Sequence, residues 1–174
     1  YKNTEKVLCF YREYEEFGIL SNFHIGQFKY KLPESDEYNI YRDKEFNMDS
    51  GEKAIHFTKA VLFNDLDSAE KILNSKNPMQ IKRLGRKVTN FKQDIWDKNI
   101  CIICKNVLKH KFTNIEYKKF LLKTMDYDII AETTPRDKLW GTGMSMDNPD
   151  RLIPAKWKGL NILGYFLKEI RDEL

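Results

Sequence analysis

Glycine and proline together supply only 13 of the 174 residues, too few for a collagenous, low-complexity or loop-dominated chain. Long apolar runs are missing as well. The longest candidate is the short stretch from Ile100 to Cys104, far below the roughly 20 residues that a membrane-spanning helix needs. Cysteine is scarce and odd in number, with three in all, and Cys101 and Cys104 fall inside a helical pattern. A disulfide framework is therefore not expected, and the compartment should be reducing. The opening Tyr1-Lys2-Asn3-Thr4-Glu5-Lys6 has no apolar signal-peptide core, so a cytoplasmic location is expected. A strong excess of one charge sign is absent too: 30 basic less 26 acidic residues leave +4. That balance permits a phosphate-bearing partner without demanding one. No P-loop, dinucleotide fingerprint, zincin helix or nucleophile elbow occurs.

What is present suffices for a packed core. Hydrophobic residues make up 41% of the chain, with 11 Phe, 9 Tyr and 3 Trp, and the length suits one domain over residues 1–174. Val7 to Tyr11 and Phe23 to Tyr30 read as short strands, punctuated by Gly18 and Gly26. Residues 31–49 are polar and charged without a clear period, which predicts a long surface loop, an insertion or lid. Helices follow. Ser50 is a candidate N-cap for a helix over residues 51–63, with Ala54, Ile55, Thr58, Val61 and Leu62 apolar. Asp67 and Glu70 read as a capping box for a second helix, and Asn77-Pro78 starts a third. The strongest stripe, Trp96, Ile100, Ile103, Cys104, Val107 and Leu108, predicts a helix over residues 94–111. Asn114 caps a fifth, residues 128–134 read as a strand, and residues 161–171 close the chain as a helix. The order of elements predicts an α+β, helix-dominated fold of about six helices with a small β-sheet.

Two clusters carry chemistry. Glu52, His56 and Lys59, spaced by four and three on the first helix, project from one side, so a carboxylate, an imidazole and an amine meet. The competing reading is a solvated helix face. The second cluster, Glu132 to Gly143, sets acids, Trp140 and the glycines Gly141 and Gly143 at the end of a predicted strand. Either backbone approaches a phosphate or ribose there, or a tight turn packs beneath Trp140. Cys101 and Cys104, with His110 nearby, lack a fourth zinc ligand, and their isoleucine neighbours favour core packing for both thiols. Lys105, Lys109, Lys111, Lys118, Lys119 and Lys123 form a basic region that suits either a polynucleotide backbone or ordinary solvated helix faces.

In order along the chain come Phe10-Tyr11, Leu20-Ser21-Asn22-Phe23, Ser50-Gly51-Glu52, Lys59-Ala60, Leu84-Gly85-Arg86 and Trp96 through Lys111-Phe112. Glu132, Asp137, Trp140-Gly141 and Trp157-Lys158-Gly159-Leu160-Asn161-Ile162-Leu163-Gly164 complete the series. This series resembles the NADAR (YbiA-like) superfamily from Phe10 to Arg171. Many members carry His, an aromatic pair and Gln after the helix Glu, where this chain has Lys53, Ala54, Ile55 and His56.

The resemblance implies an N-glycosidase, a hydrolase of the bond between a ribose anomeric carbon and an exocyclic base amine. The foremost substrate it implies is ADP-ribosylated guanine, as a nucleoside or in DNA or RNA. Ribosylamino intermediates of riboflavin biosynthesis are the alternative, and a non-catalytic ADP-ribose or NAD reader is the rival from another class. Glu52 would act as general acid/base. Lys59 would either form a Schiff base with the opened sugar or stay cationic and hold a phosphate or Glu52. Asp137 would orient ribose hydroxyls or Lys59. Trp96 and Trp140 would stack on the base or wall the pocket, and Asn22, Arg86 and Asn161 would hold ribose or phosphate. Ser21, Phe23 and Gly141 complete the implied substrate-binding set. Neither a metal nor a cofactor is implied, nor a membrane or an obligate protein partner.

Overall fold

The computed structural model describes residues 5–174; residues 1–4 of the opening segment read above for a signal peptide lie outside the described residues. Six α-helices and four strands appear among the described residues, so the fold is α+β and helix-dominated as predicted. No helix among the described residues is long and apolar enough to cross a membrane. The chain divides into two compact units, one running up to His24 and resuming over Ile115–Leu174, the other being Ile25–Asn114.

In the Ile25–Asn114 unit, β2 (Phe28–Tyr30) pairs antiparallel with β3 (Phe46–Met48), Lys29 facing Asn47. The predicted strand from Phe23 is thus shorter at its start, because Phe23 lies in a turn and residues 24–27 take no strand conformation. The 31–49 stretch holds more regular structure than its composition implied: a 3₁₀ helix over Asp36–Tyr41, then β3. Alternation is hard to detect in strands of three residues, which is why the stretch reads as loop.

Helix α1 (Gly51–Leu62) starts at Ser50, whose extended backbone (φ −161°) lets its Oγ accept from Lys53 N at 3.1 Å. It is the central helix of the unit. It packs on α2 (Leu66–Asn74), α3 (Pro78–Arg86) and α4 (Gln93–Lys111), and this burial from several sides exceeds the single apolar stripe read from its sequence. The core gathers Tyr30, Met48, Ala54, Phe57, Ile72, Ile81, Ile103 and Val107. Tyr30 anchors it: its hydroxyl lies 2.6 Å from Thr58 Oγ1, which itself donates to Ala54 O, and burial pushes the Tyr30 phenol up to about 12.

The start of α2 corrects the sequence expectation. Asp65, not Asp67, is the N-cap, accepting from Ser68 N at 3.1 Å and from Thr89 N at 2.9 Å. Asp67 instead pairs with Lys71 on the helix surface at 3.1 Å. Helix α3 begins as predicted, with Asn77 Oδ1 accepting from Met79 N and Gln80 N ahead of Pro78. On α4 the stripe is buried at Ile103, Cys104, Val107 and Leu108. Two details differ from the sequence reading. Cys101 is exposed while Cys104 is buried, so only one thiol packs in the core. Lys111 is fully buried and so leaves the surface basic region, because it continues the heptad-like spacing of Cys104 and Leu108 onto the inner face.

In the other unit, β1 (Val7–Phe10) pairs in parallel with β4 (Ile129–Glu132), Val7 opposite Ile129. Helix α5 (Ile115–Leu122) packs near the 3₁₀ turn Gly18–Leu20, with Phe17 and Phe120 edge to face at 5.9 Å. Helix α6 (Ile162–Asp172) lies on β4. The two strand pairs are separate two-stranded sheets, not one; each is too short to bury a face unaided and depends on the helices against it.

Candidate active site

The side chains singled out on α1 do not form a solvated face. Glu52 is 9% exposed, and its Oε1 sits 2.8 Å from Nε2 of His56, one turn along. Both side chains are largely buried, at 12% and 14% exposure. Nδ1 of His56 is buried and makes no hydrogen bond. The hydrogen therefore belongs on Nε2, where the Glu52 carboxylate accepts it. A hydrogen on Nδ1 would be buried without an acceptor.

Lys59, one turn further, points into an aromatic setting. Its Nζ donates to the carbonyl of Gly85 on α3 at 2.8 Å and lies 4.7 Å from the ring centre of Phe91 and 5.2 Å from that of Trp96. Two opposed effects act on this amine. Burial pushes its pKa below the ordinary lysine value, whereas ring faces and a carbonyl favour the cation. The net direction is down. A lysine so held reaches the free-amine form more readily than a solvated one while its position stays fixed.

An ion pair lies next to Glu52 in the sequence. Lys53 Nζ is 3.7 Å from Asp49 Oδ2, with side-chain exposures of 7% and 15%. Asp49 Oδ1 is buried with no hydrogen-bond partner. The i,i+4 spacing of Asp49 and Lys53 was visible in the sequence but gave no sign of burial. Gly85 and Phe91 were also missed as neighbours of the α1 cluster; they reach it from distant chain positions, and no local pattern announces that. Arg86 is exposed at the end of α3, and Trp96 is half-buried at the start of α4. A cavity of about 310 Å³ in the same unit, lined among others by Lys31, Leu32, Tyr38, Tyr41, Arg42 and Lys44, includes neither Glu52 nor Lys59.

The remaining predicted residues belong to the other unit. Asp137 Oδ1 accepts from Leu139 N at 3.0 Å and Trp140 N at 2.9 Å, a turn in which the carboxylate replaces backbone partners. Thr142 N returns to Glu132 O at 2.8 Å, and the carbonyl of buried Gly141 accepts from Asn161 N at 3.0 Å. Added at Gly141, a Cβ would come within 2.9 Å of the Asp137 and Glu132 carbonyls, so close packing accounts for this glycine. Asn161 is fully buried and adopts a left-handed conformation (φ 51°). Its amide spans two residues of β4, Nδ2 donating to Ile130 O and Oδ1 accepting from Glu132 N, each at 2.9 Å. Buried Ser21 accepts at Oγ from Phe23 N at 3.1 Å. Asn22 Oδ1 is buried and has no hydrogen-bond partner, an acceptor whose desolvation is uncompensated.

The fold and the order of these residues match one family. Residues 9–174 correspond to the NADAR domain. The chain belongs to the NADAR family. It is 38% identical over 125 residues to N-glycosidase R617 of Acanthamoeba polyphaga mimivirus, covering 71% of this chain and 73% of that protein. It is 30% identical to protein irg-1 of Caenorhabditis elegans, over 100% of this chain and 84% of that one. The NMR structure of Escherichia coli YbiA superposes with a TM-score of 0.71 at 24% identity, covering 97% of this chain and 84% of that chain; this likeness concerns the fold.

Proposed function

We propose that this NADAR chain is a hydrolase, an N-glycosidase that cleaves the bond between a ribose anomeric carbon and an exocyclic base amine, with ADP-ribosylated guanine as substrate. The observation that carries the reading is the α1 cluster: a buried carboxylate held by an imidazole at 2.8 Å and a desolvated lysine amine two turns further along the same helix. The N-glycosidase name of the viral relative supports the reaction class, and the family match over residues 9–174 supports treating the whole chain as one functional domain.

The chemistry suits these groups. Glu52, having taken up a proton at the oxygen that His56 does not engage, passes it to the ring oxygen while the exocyclic nitrogen lone pair forms the C=N bond, so the sugar opens to an imine. Lys59, as free amine, adds to that carbon, and the base departs as its amine, leaving a lysine imine. Water then adds to the imine carbon, assisted by the Glu52 carboxylate, and the lysine leaves as the aldehyde forms and recloses. A lowered pKa is what a nucleophilic lysine requires. On the alternative route Lys59 remains cationic and Glu52 activates water directly. Trp96 lies against the lysine; the resemblance has Trp140 stack on the base or wall the pocket, Asp137 orient ribose hydroxyls or Lys59, and Asn22, Arg86 and Asn161 hold ribose or phosphate, with Ser21, Phe23 and Gly141 completing the substrate-binding set. The unpartnered Asn22 Oδ1 would gain a donor from a ribose hydroxyl, and Asp137 keeps Oδ2 for another. The bonds of Asn161 favour a supporting role.

The test is a panel of ADP-ribosylated guanine in DNA, in RNA and as the nucleoside, beside ribosylamino intermediates of riboflavin synthesis, with base or amine release followed by chromatography. Release from the guanine adducts is expected. Binding without release from any member identifies a reader instead, and release from the riboflavin intermediates alone moves the substrate to that class.

A further inference from the structure

Gly85 lies in the last turns of α3 and touches both chemical groups of α1. On one side its carbonyl accepts from Lys59 Nζ at 2.8 Å. On the other, a Cβ at this position would collide with Nδ1, Cγ and Cε1 of His56. The backbone conformation does not demand glycine here, since among the described residues Gly143 is the one glycine with positive φ. Glycine in a helix interior is destabilising relative to alanine. The missing side chain therefore serves the space it leaves, and His56 fills that space.

The imidazole is fixed from two sides. Gly85 supports its Nδ1 edge, and Nε2 reaches Glu52 at 2.8 Å. With Nδ1 buried and unbonded, the ring has one productive hydrogen bond, and turning it would break that bond. We propose that Gly85 and His56 are positioning residues of the α1 cluster: the bare Cα of Gly85 seats His56, which aims Glu52, while the carbonyl of the same residue anchors Lys59. One residue of α3 thus sets the acid and the amine in a common frame. The proposal rests on the glycosidase reading for its catalytic consequence, while its geometry stands without it.

Three variants test it: Gly85→Ala, His56→Gln, and Gly85→Ala combined with His56→Ala. Two measurements need no turnover. The ¹⁵N shifts of the His56 ring report which nitrogen holds the hydrogen, and labelling of Lys59 by trinitrobenzenesulfonate, mapped by mass spectrometry against pH, reports its anchoring. Wild type is expected to show hydrogen on Nε2 and a bare Nδ1. Gly85→Ala should abolish that ring signature and change the Lys59 labelling rate several-fold. The double variant, having lost the colliding ring, should regain stability and wild-type labelling. On an active substrate, Gly85→Ala should lower kcat by roughly 100-fold with KM little changed, as displacement of about 1 Å does. His56→Gln, which still donates to Glu52, should restore much more turnover than the double variant.

Ring shifts and labelling in Gly85→Ala that equal wild type would overturn the proposal. So would a loss of stability that the double variant does not relieve. If wild type releases no base from any substrate, the glycosidase reading falls, while the ring and labelling results still decide whether Gly85 seats His56 and anchors Lys59.

Discussion

Asn161 Nδ2 donates to the carbonyl of Ile130 at 2.9 Å while its Oδ1 accepts from Glu132 N, so one side chain replaces a missing neighbouring strand along β4. Asn also tolerates the left-handed backbone that α6 needs at its start. Replacing it with Ala leaves two buried backbone groups without partners. Asn161→Ala should cost about 2–4 kcal/mol of stability in urea unfolding. Asn161→Asp should be comparably damaging, because an oxygen then faces the Ile130 carbonyl. A loss below about 0.5 kcal/mol in both variants would contradict this role.

Glu52→Gln and Lys59→Ala should each lower turnover by about 100-fold or more if both groups act chemically. Lys59→Arg separates the two routes. It preserves a cation for Phe91, Trp96 and the Gly85 carbonyl but supplies no nucleophilic amine. Turnover lost in Lys59→Arg, together with a borohydride-trapped adduct on Lys59, establishes the imine. Near-normal turnover without trapping eliminates it. Because burial lowers the Lys59 pKa, trapping should rise with pH about a midpoint below the ordinary lysine value.

Asp65 gives the unit Ile25–Asn114 a defined acid weakness. Burial works against its charge, yet hydrogen bonds from Ser68 and Thr89 bring the carboxyl down to about 2. A folded value below the unfolded one means stabilisation that is present above about pH 4 and lost as pH falls toward about 2. Asp65→Asn should flatten this part of the stability curve, and Asp65→Ala should also remove the cap, at about 0.5–2 kcal/mol near neutrality. Denaturant midpoints between pH 2 and 6 measure both. Equal slopes for Asp65→Asn and wild type would exclude the effect.

Lys111 behaves in the opposite sense. Burial lowers its pKa to about 7, while the unfolded chain binds that proton up to about pH 10.4. The unfolded state therefore holds more protons between these values, and stability from this group rises with pH from about 7 to about 10. Lys111→Met keeps a long unbranched side chain but cannot titrate, and should remove that rise, which subtraction of the two pH–stability curves isolates. A difference curve that is level across this range would refute the assignment.

The sequence made local features legible and left distant ones hidden. Ser50 and Asn77-Pro78 marked the starts of α1 and α3 because a cap is a contact within four residues. Where two acids competed, Asp67 matched a capping-box pattern, yet Asp65 was chosen because Thr89, far along the chain, adds a further hydrogen bond. The Glu52 and His56 contact followed from i,i+4 spacing. Its burial did not, since α1 is enclosed by α2, α3 and α4 and not by a pattern of its own. The pairing of Val7 with Ile129 leaves no local trace, because parallel strands are joined by everything between them.

That pairing has a consequence for synthesis. Residues 25–114 are contiguous in the chain, so every residue of that unit emerges from the ribosome before β4 does. β1, made first, has its ladder partner only when Ile129–Glu132 emerges. Closing so distant a contact is entropically slow. The helix bearing Glu52 and Lys59 is thus assembled early in the life of the nascent chain, and the turn bearing Asp137 and Trp140 among the last.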